Sequence, residues 1–239
     1  MPRVLRFPMV SSTMDLLHEL AAEGAAAGTV VVAGEQTSGR GSRGRTWRSP
    51  PGGLWLSALY RPRAPAGAEL LSLRVGLAVA EAIESVGSGV RLAIKWPNDL
   101  VLNDRKLGGI LCEARWQGEE LGWIVAGIGL NVSNPVPAEL AAAAIRLADQ
   151  WPDISPQALE APVTDRLRAL DPARNRLERA ELAALRDRDW LRGRRLLAPV
   201  AGRGDGIAED GALLVRDADG GARTIRAGTV ELAEPSFTP

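Results

Sequence analysis

Cysteine and histidine are almost missing from this 239-residue chain, which has one of each, Cys112 and His18. A single cysteine excludes an internal disulfide, and the pair is too few for a Cys/His zinc site. Any triad in which a histidine activates a nucleophile would have to use His18. That residue falls in Ser12-Thr13-Met14-Asp15-Leu16-Leu17-His18-Glu19-Leu20, a helix-like stretch without a nucleophile motif, so it is expected on a helix surface or flank and outside any site. Long hydrophobic runs are missing too: none nears the roughly 18 residues of a membrane span. The opening Met-Pro-Arg-Val-Leu-Arg-Phe-Pro is not a secretory signal. A cytoplasmic protein with no membrane partner is expected. Net charge is absent, 29 basic residues against 29 acidic, so no global field draws the chain to nucleic acid and no nucleic-acid partner is expected. Lysine is scarce: of the 29 basic residues only Lys95 and Lys106 are not arginine. These two positions are expected to need a compact ammonium rather than a planar fork.

What is present divides the chain by texture. A short extended segment over 3–7 precedes a helix capped by Ser12 or Thr13, with Leu16, Leu17, Leu20 and Ala21 on one side, ending near Gly24–Gly28. A buried strand over 29–33 enters a Gly/Arg loop over 34–53, and 54–60 is again strand-like. A proline-containing connection over 61–67 leads to an amphipathic helix over about 69–86, stopped by Gly87 and Gly89. Segments 92–96, 100–102, 107–114 and 122–132, separated by Pro-Asn-Asp, Asn-Asp-Arg and Gln-Gly-Glu turns, predict neighbouring antiparallel strands. The expected class is α+β, a mixed, largely antiparallel sheet with helices on one face. From 138 to 190 the pattern is helical, broken by Pro152, Pro156, Pro162 and Pro172. Beyond Trp190, five short segments between Gly/Asp turns predict a small β-barrel. The expected domains are 1–188 and 189–239.

Three constellations carry chemistry. The loop from Gly39 to Pro50 holds Arg40, Arg43, Arg45 and Arg48 with no acid, a local anion trap with Trp47 as a wall. It matches G-x-G-x-x-G literally, but that fingerprint must open a helix, which Pro50-Pro51-Gly52-Gly53 forbids. The second is Lys95-Trp96-Pro97-Asn98-Asp99, with Lys106 able to fold back beside it. Asn98 and Asp99 could hold a nucleotide or a magnesium ion, or simply form an Asx turn after the proline. The third is Gly127-Ile128-Gly129-Leu130-Asn131-Val132, whose glycines permit close backbone approach and whose amide can bond a sugar or phosphate.

These motifs, with Arg105-Lys106-Leu107-Gly108-Gly109-Ile110-Leu111, stand in the order and spacing of biotin protein ligases, which the chain resembles over nearly its whole length. Ser11-Ser12-Thr13 is similar to that family's biotin-binding Ser-Thr. The resemblance implies a catalytic domain related to class II synthetases and a terminal Src-homology-3-like barrel. It also implies ATP with magnesium as cofactors, biotin as substrate, and the biotin carboxyl carrier domain of a carboxylase as partner. Activated biotinyl-AMP would form first, then pass to a carrier lysine. Catalysis would fall to Lys106, Arg40 and Asp99. Biotin would meet Ser12, Thr13, Gln36, Arg40, Gly41, Ser42 and Lys106. ATP would meet Arg40, Arg43, Arg45, Trp47, Lys95, Asn98, Asp99 and Asn131, with Asp99 the magnesium ligand. The first strand begins within a few residues of Met1, so a monofunctional member without the DNA-binding domain is expected. Exposed sheet edges would allow a homodimer. A biotin-sensing binding protein without catalysis and a lipoate-type acyl ligase of the same fold are the alternatives.

Two positions depart from the family's pattern. Met14 stands where asparagine is usual, and Ser42 replaces the second arginine of Gly-Arg-Gly-Arg. Either Ser42 leaves the activated intermediate less tightly held, or Arg43 makes the missing contact. Labelling of an unrelated lysine-rich protein by the native chain and by Ser42→Arg distinguishes them: a clear drop in the variant means leakage at Ser42, and equal labelling means Arg43 compensates.

Overall fold

The computed structural model describes residues 1–62, 68–87 and 89–233, so 63–67 of the proline-containing connection lie outside the described residues. A seven-stranded sheet is built from β1 (Val4–Val10), β2 (Val30–Gln36), β3 (Leu54–Tyr60), β4 (Ala93–Lys95), β5 (Asp99–Leu102), β6 (Arg105–Gln117) and β7 (Glu120–Leu130). Its spatial order is β1-β2-β3-β7-β6-β5-β4. Only β1 and β2 run parallel, because the helix between them, α1 (Thr13–Ala22), carries the chain back across the sheet. The four consecutive strands expected beyond residue 91 are antiparallel neighbours joined by hairpins.

β3 is buried at all seven positions, so both faces of the sheet must be covered there. On one face Leu54, Leu56, Ala58 and Tyr60 join a core with α2 (Ala68–Ser85) and α3 (Pro156–Ala169). On the other, Val31, Leu59, Trp123 and Val125 pack under Met14, Leu17 and Ala21 of α1. The larger helices thus share one face as expected, and α1 covers part of the second. Ser12 caps α1 by accepting from the Asp15 amide, and Asp15 places an anion in the first turn, where the helix dipole favours it.

Pro162 was expected to break a helix but lies inside α3. Leu159, Val163 and Leu167 bury one face of that helix, and this packing outweighs the one backbone hydrogen bond a proline forfeits. After α4 (Arg179–Arg188) the strands β8 (Arg195–Ala198), β9 (Gly202–Ile207), β10 (Leu213–Arg216), β11 (Ala222–Ile225) and β12 (Glu231–Leu232) form a second, antiparallel sheet. Its order is β11-β10-β9-β8-β12, with no pairing between the two end strands among the described residues. The apolar core continues from one sheet to the other, through Leu196, Ile207 and Leu213. Trp96 of the Lys-Trp-Pro-Asn-Asp run pins the junction, its indole N–H donating to the Gly211 carbonyl at 2.9 Å. No helix among the described residues is long and apolar enough to cross a membrane.

At the end of α4, Asp189 accepts from the Leu191 amide through Oδ1 at 3.0 Å, while Oδ2 is buried without a partner. Burial pushes its carboxyl from the ordinary 3.8 up to about 6. Because the folded value exceeds the unfolded one, ionisation penalises the fold increasingly from pH 3.8 upward and fully above about 6. Asp189→Asn keeps the acceptor, so it should raise the melting temperature at pH 7.5 by roughly 5–10 °C and leave it nearly unchanged at pH 3.5. Melts at both pH values check this, and a pH-independent difference would reject it.

Candidate active site

On the face that α1 leaves bare, β6 and β7 present a floor in which three of four paired positions are glycine. Gly109 pairs with Gly129 and Leu111 with Gly127, and directly opposed residues share a face. Above this floor lies a cavity of about 240 Å³. Gly127 and Gly129 each admit one side chain. A Cβ on Gly127 would stand 2.5 Å from Met14 Sδ, and one on Gly129 would stand 2.4 Å from Trp47 Nε1. At Gly109 the same position lies in ordinary contact with Asp99, Trp47 and Lys106. Met14 at Gly127 and Trp47 at Gly129 therefore sit about 7 Å apart, two residues along one strand.

At the Met14 end, the start of α1 supplies polar groups. Thr13 donates to Gln36 Oε1 from its amide at 2.8 Å and its hydroxyl at 3.0 Å, and that hydroxyl also meets Ser57 Oγ at 2.8 Å. Gln36 Nε2 donates to Ser49 Oγ at 2.7 Å, which in turn donates to the Trp47 carbonyl. The Gln36 side-chain carbonyl is thus already used within the protein, and Gln36 lines the cavity with Nε2 engaged by one of its two hydrogens.

At the other end Lys106 Nζ lies 2.8 Å from Asp99 Oδ1 and 5.4 Å from the centre of the Trp47 ring. The hairpin of β5 and β6 brings it there. Asn98 stitches the corner to β6 by donating from Nδ2 to the Ile110 carbonyl at 2.8 Å. The side chain therefore serves the neighbouring strand, where an Asx turn had been the alternative. Asn131 lines the cavity with Oδ1 accepting from Asn134 at 3.1 Å.

The arginine loop is not the unopposed cluster its sequence suggests, because its acids come from other elements. Arg40 makes a two-pronged pair with Glu113 of β6, at 2.6 and 3.0 Å, and a third contact of 2.8 Å with Asp15 of α1. Arg48 lies 3.5 Å from Glu139. Arg45 bonds to the Ser42 carbonyl and hydroxyl and, among the described residues, has no acidic side chain in ion-pair range. Ser12, Gly41 and Ser42 line the cavity with Arg40 and Arg45. Two expected site residues lie elsewhere. Arg43, in the left-handed region at φ 61°, reaches Thr229 of the second sheet region, and Lys95 is buried beside the Trp190 ring. Both line an adjoining cleft of about 250 Å³ that shares Ser42, Arg45, Asn98 and Asp99 with the cavity. Burial lowers the Lys95 ammonium below its ordinary range.

His18, expected on a helix surface or flank, lies on α1 and is buried. It faces Glu113 at 3.2 Å and accepts from the Trp123 indole at 2.9 Å. The hydrogen bond from His18 and then those from Arg40 hold the Glu113 carboxyl down at about 2, against the opposing effect of burial. Glu113 itself escaped sequence reading, although its position two and four residues beyond Leu111 and Gly109 on one strand puts it on the same face. Among the described residues no three His, Cys, Asp or Glu side chains form a group that could hold a metal ion, and Asp99 Oδ1 is taken by Lys106. The donor set does not fit a metal held by the protein alone.

Residues 6–131, which carry the floor, the arginine loop and the Lys106 corner, match the biotin/lipoate A/B protein ligase family. The chain belongs to this family. It is 41% identical over 137 residues to the bifunctional ligase/repressor BirA of Bacillus subtilis, covering 55% of this chain and 42% of that protein. It is 42% identical over 106 residues to the biotin--[acetyl-CoA-carboxylase] ligase of Paracoccus denitrificans, covering 44% of each. The chain thus spans less than half the length of these curated relatives. The fold is similar to the biotin protein ligase of Aquifex aeolicus in complex with biotin and ATP, with a TM-score of 0.83 and 26% identity over 98% of this chain and all of that one.

The Gly129 floor is directly testable. Gly129→Ala sets a methyl against a rigid ring, so the Trp47 indole must move while the buried strand stays paired. Of the seven tryptophan indole N–H resonances, the one lost in Trp47→Phe should shift strongly in Gly129→Ala. An unchanged indole spectrum would show that the ring does not rest on Gly129.

Proposed function

We propose that the chain is an ATP-dependent biotin protein ligase: it joins the biotin carboxylate to AMP, then passes the acyl group to a lysine of a biotin carboxyl carrier domain. The supporting observation is the cavity, with hydrogen-bonding groups of Ser12, Thr13 and Gln36 beside Met14 at one end and the Lys106–Asp99 pair at the other. A bicyclic urea suits the first end and a carboxylate the second.

In the first step a carboxylate oxygen attacks the α-phosphorus and pyrophosphate leaves. The barrier contains the mutual repulsion of two anions, about 4 kcal/mol per pair of unit charges at 4 Å and an effective dielectric of 20. Lys106 answers it. Its ammonium is fixed between Asp99 and the Trp47 face before any ligand arrives, so little reorganisation accompanies the reaction. Arg40, held at the cavity by Glu113 and Asp15, and Arg45, braced by Ser42 and without an acidic partner among the described residues, are the further cations for phosphate oxygens. The adjoining cleft with Arg43 and Lys95 gives the pyrophosphate a cationic path outward. Magnesium would arrive on the phosphates of ATP, since the protein donor set is too small to hold it alone. In the second step the neutral amine of the acceptor lysine attacks the acyl carbon and AMP leaves. Asp99, at the boundary of cavity and cleft, or a phosphate oxygen would take its proton.

Incubation with ATP, a carrier domain and either biotin or lipoate, read by mass, tests this. A biotin conjugate supports the reading, a lipoate conjugate assigns the related acyl ligase, and no conjugate despite biotin binding assigns a sensor. Lys106→Met should lower biotin-dependent exchange of pyrophosphate into ATP by roughly a hundredfold or more with the circular-dichroism spectrum unchanged. Lys106→Arg should also fail, since the larger delocalised fork cannot occupy the gap between Asp99 and Trp47. Exchange near the native rate in either variant would remove Lys106 from the mechanism.

A further inference from the structure

Arg40 stands in a loop bracketed by Gly39 and Gly41, yet three hydrogen-bonded contacts hold it against α1 and β6. We propose that His18 is a positioning residue for Arg40: held as one tautomer by Trp123, it keeps the Glu113 carboxylate turned toward the arginine.

An indole N–H can only donate, so the 2.9 Å contact from Trp123 Nε1 makes His18 Nδ1 an acceptor. The neutral ring then carries its proton on Nε2, the atom that faces Glu113 Oε2 at 3.2 Å. Glu113 is thereby fully engaged, with Oε1 accepting from Arg40 Nη1 and Oε2 from Arg40 Nη2 and His18. A competitor waits on the same strand. The half-exposed Arg115 lies 3.6 Å from Glu113 Oε2, close enough to claim the carboxylate if the imidazole N–H were removed. Asp15 alone, 45% exposed, would then hold Arg40. Depression of the Glu113 carboxyl, with the His18 hydrogen bond as its largest cause, fits the same geometry.

This role rests on the ligase reading for its activity readout, so a second readout is independent of catalysis. His18→Leu removes the N–H, and His18→Gln restores a donor near the same place. In the first, pyrophosphate exchange should fall about tenfold, the worth of one hydrogen bond to a charged group, with Gln recovering to within about threefold. In an Arg40→Ala background His18→Leu should cause no further loss, because it acts through Arg40. In the ligand-free chain, trypsin should cut after Arg40 about tenfold faster in His18→Leu than in the native protein or His18→Gln, at matched global stability. Native exchange rates in His18→Leu, a full tenfold loss persisting without Arg40, or equal cleavage in all three proteins would each overturn the proposal. If the native chain itself shows no exchange, the ligase reading fails and the cleavage comparison decides the role of His18.

Discussion

Missing side chains on two adjacent strands are the constraint on which the site depends. Gly109, Gly127 and Gly129 face the same way, and the atoms a Cβ would meet are those of Met14, Trp47, Asp99 and Lys106. The cavity is a place where a sheet surface was left bare so that side chains from α1, the arginine loop and the β5–β6 hairpin could converge. Glycine inside a strand weakens it, but these strands are central: β7 is paired on both sides, by β3 and β6, and its alternate residues Ile124, Ala126, Ile128 and Leu130 lie in the core of the opposite face. The cost of the bare floor is met by packing behind it.

Charge is organised by the same convergence. Each strongly placed cation of the site has an acid: Asp99 for Lys106 across one hairpin, and Glu113 with Asp15, both from other segments, for Arg40. Such pairs fix geometry more than they add stability, because each group has given up water to make them. Their effect is to hold a lysine and an arginine in one conformation before an anionic ligand enters, which is the condition under which electrostatic catalysis is strongest. Arg45, lacking such an acid among the described residues, keeps its charge for the space shared by cavity and cleft.

The second sheet is tied to the site by the same motif that builds the site. Within Lys95-Trp96-Pro97-Asn98-Asp99, the tryptophan bonds to Gly211 and the asparagine to Ile110, while the aspartate holds Lys106. Across the adjoining cleft Arg43 reaches Thr229. A run that reads as a ligand motif is thus also a structural joint.

Local patterning was enough to determine most elements. The strand over 54–60, the Ser12 cap, the four antiparallel strands after residue 91 and the five terminal strands all follow from periodicity and turn residues, which act over a few positions. The ordered motifs likewise determined the family. What only the tertiary structure decided were relations between segments far apart in the chain. Pro162 sits in a helix because long-range packing outweighs one lost hydrogen bond. His18 is buried because Trp123 and Glu113, about a hundred residues later, supply an indole N–H and a carboxylate to an imidazole that its own helix leaves unpaired. The arginine loop looks unopposed in sequence because its acids lie on α1, on β6 and at Glu139. Hydrophobic period and turn chemistry are local properties, whereas the pairing of buried polar groups depends on which strands become neighbours, and that is settled only when the sheet closes around them.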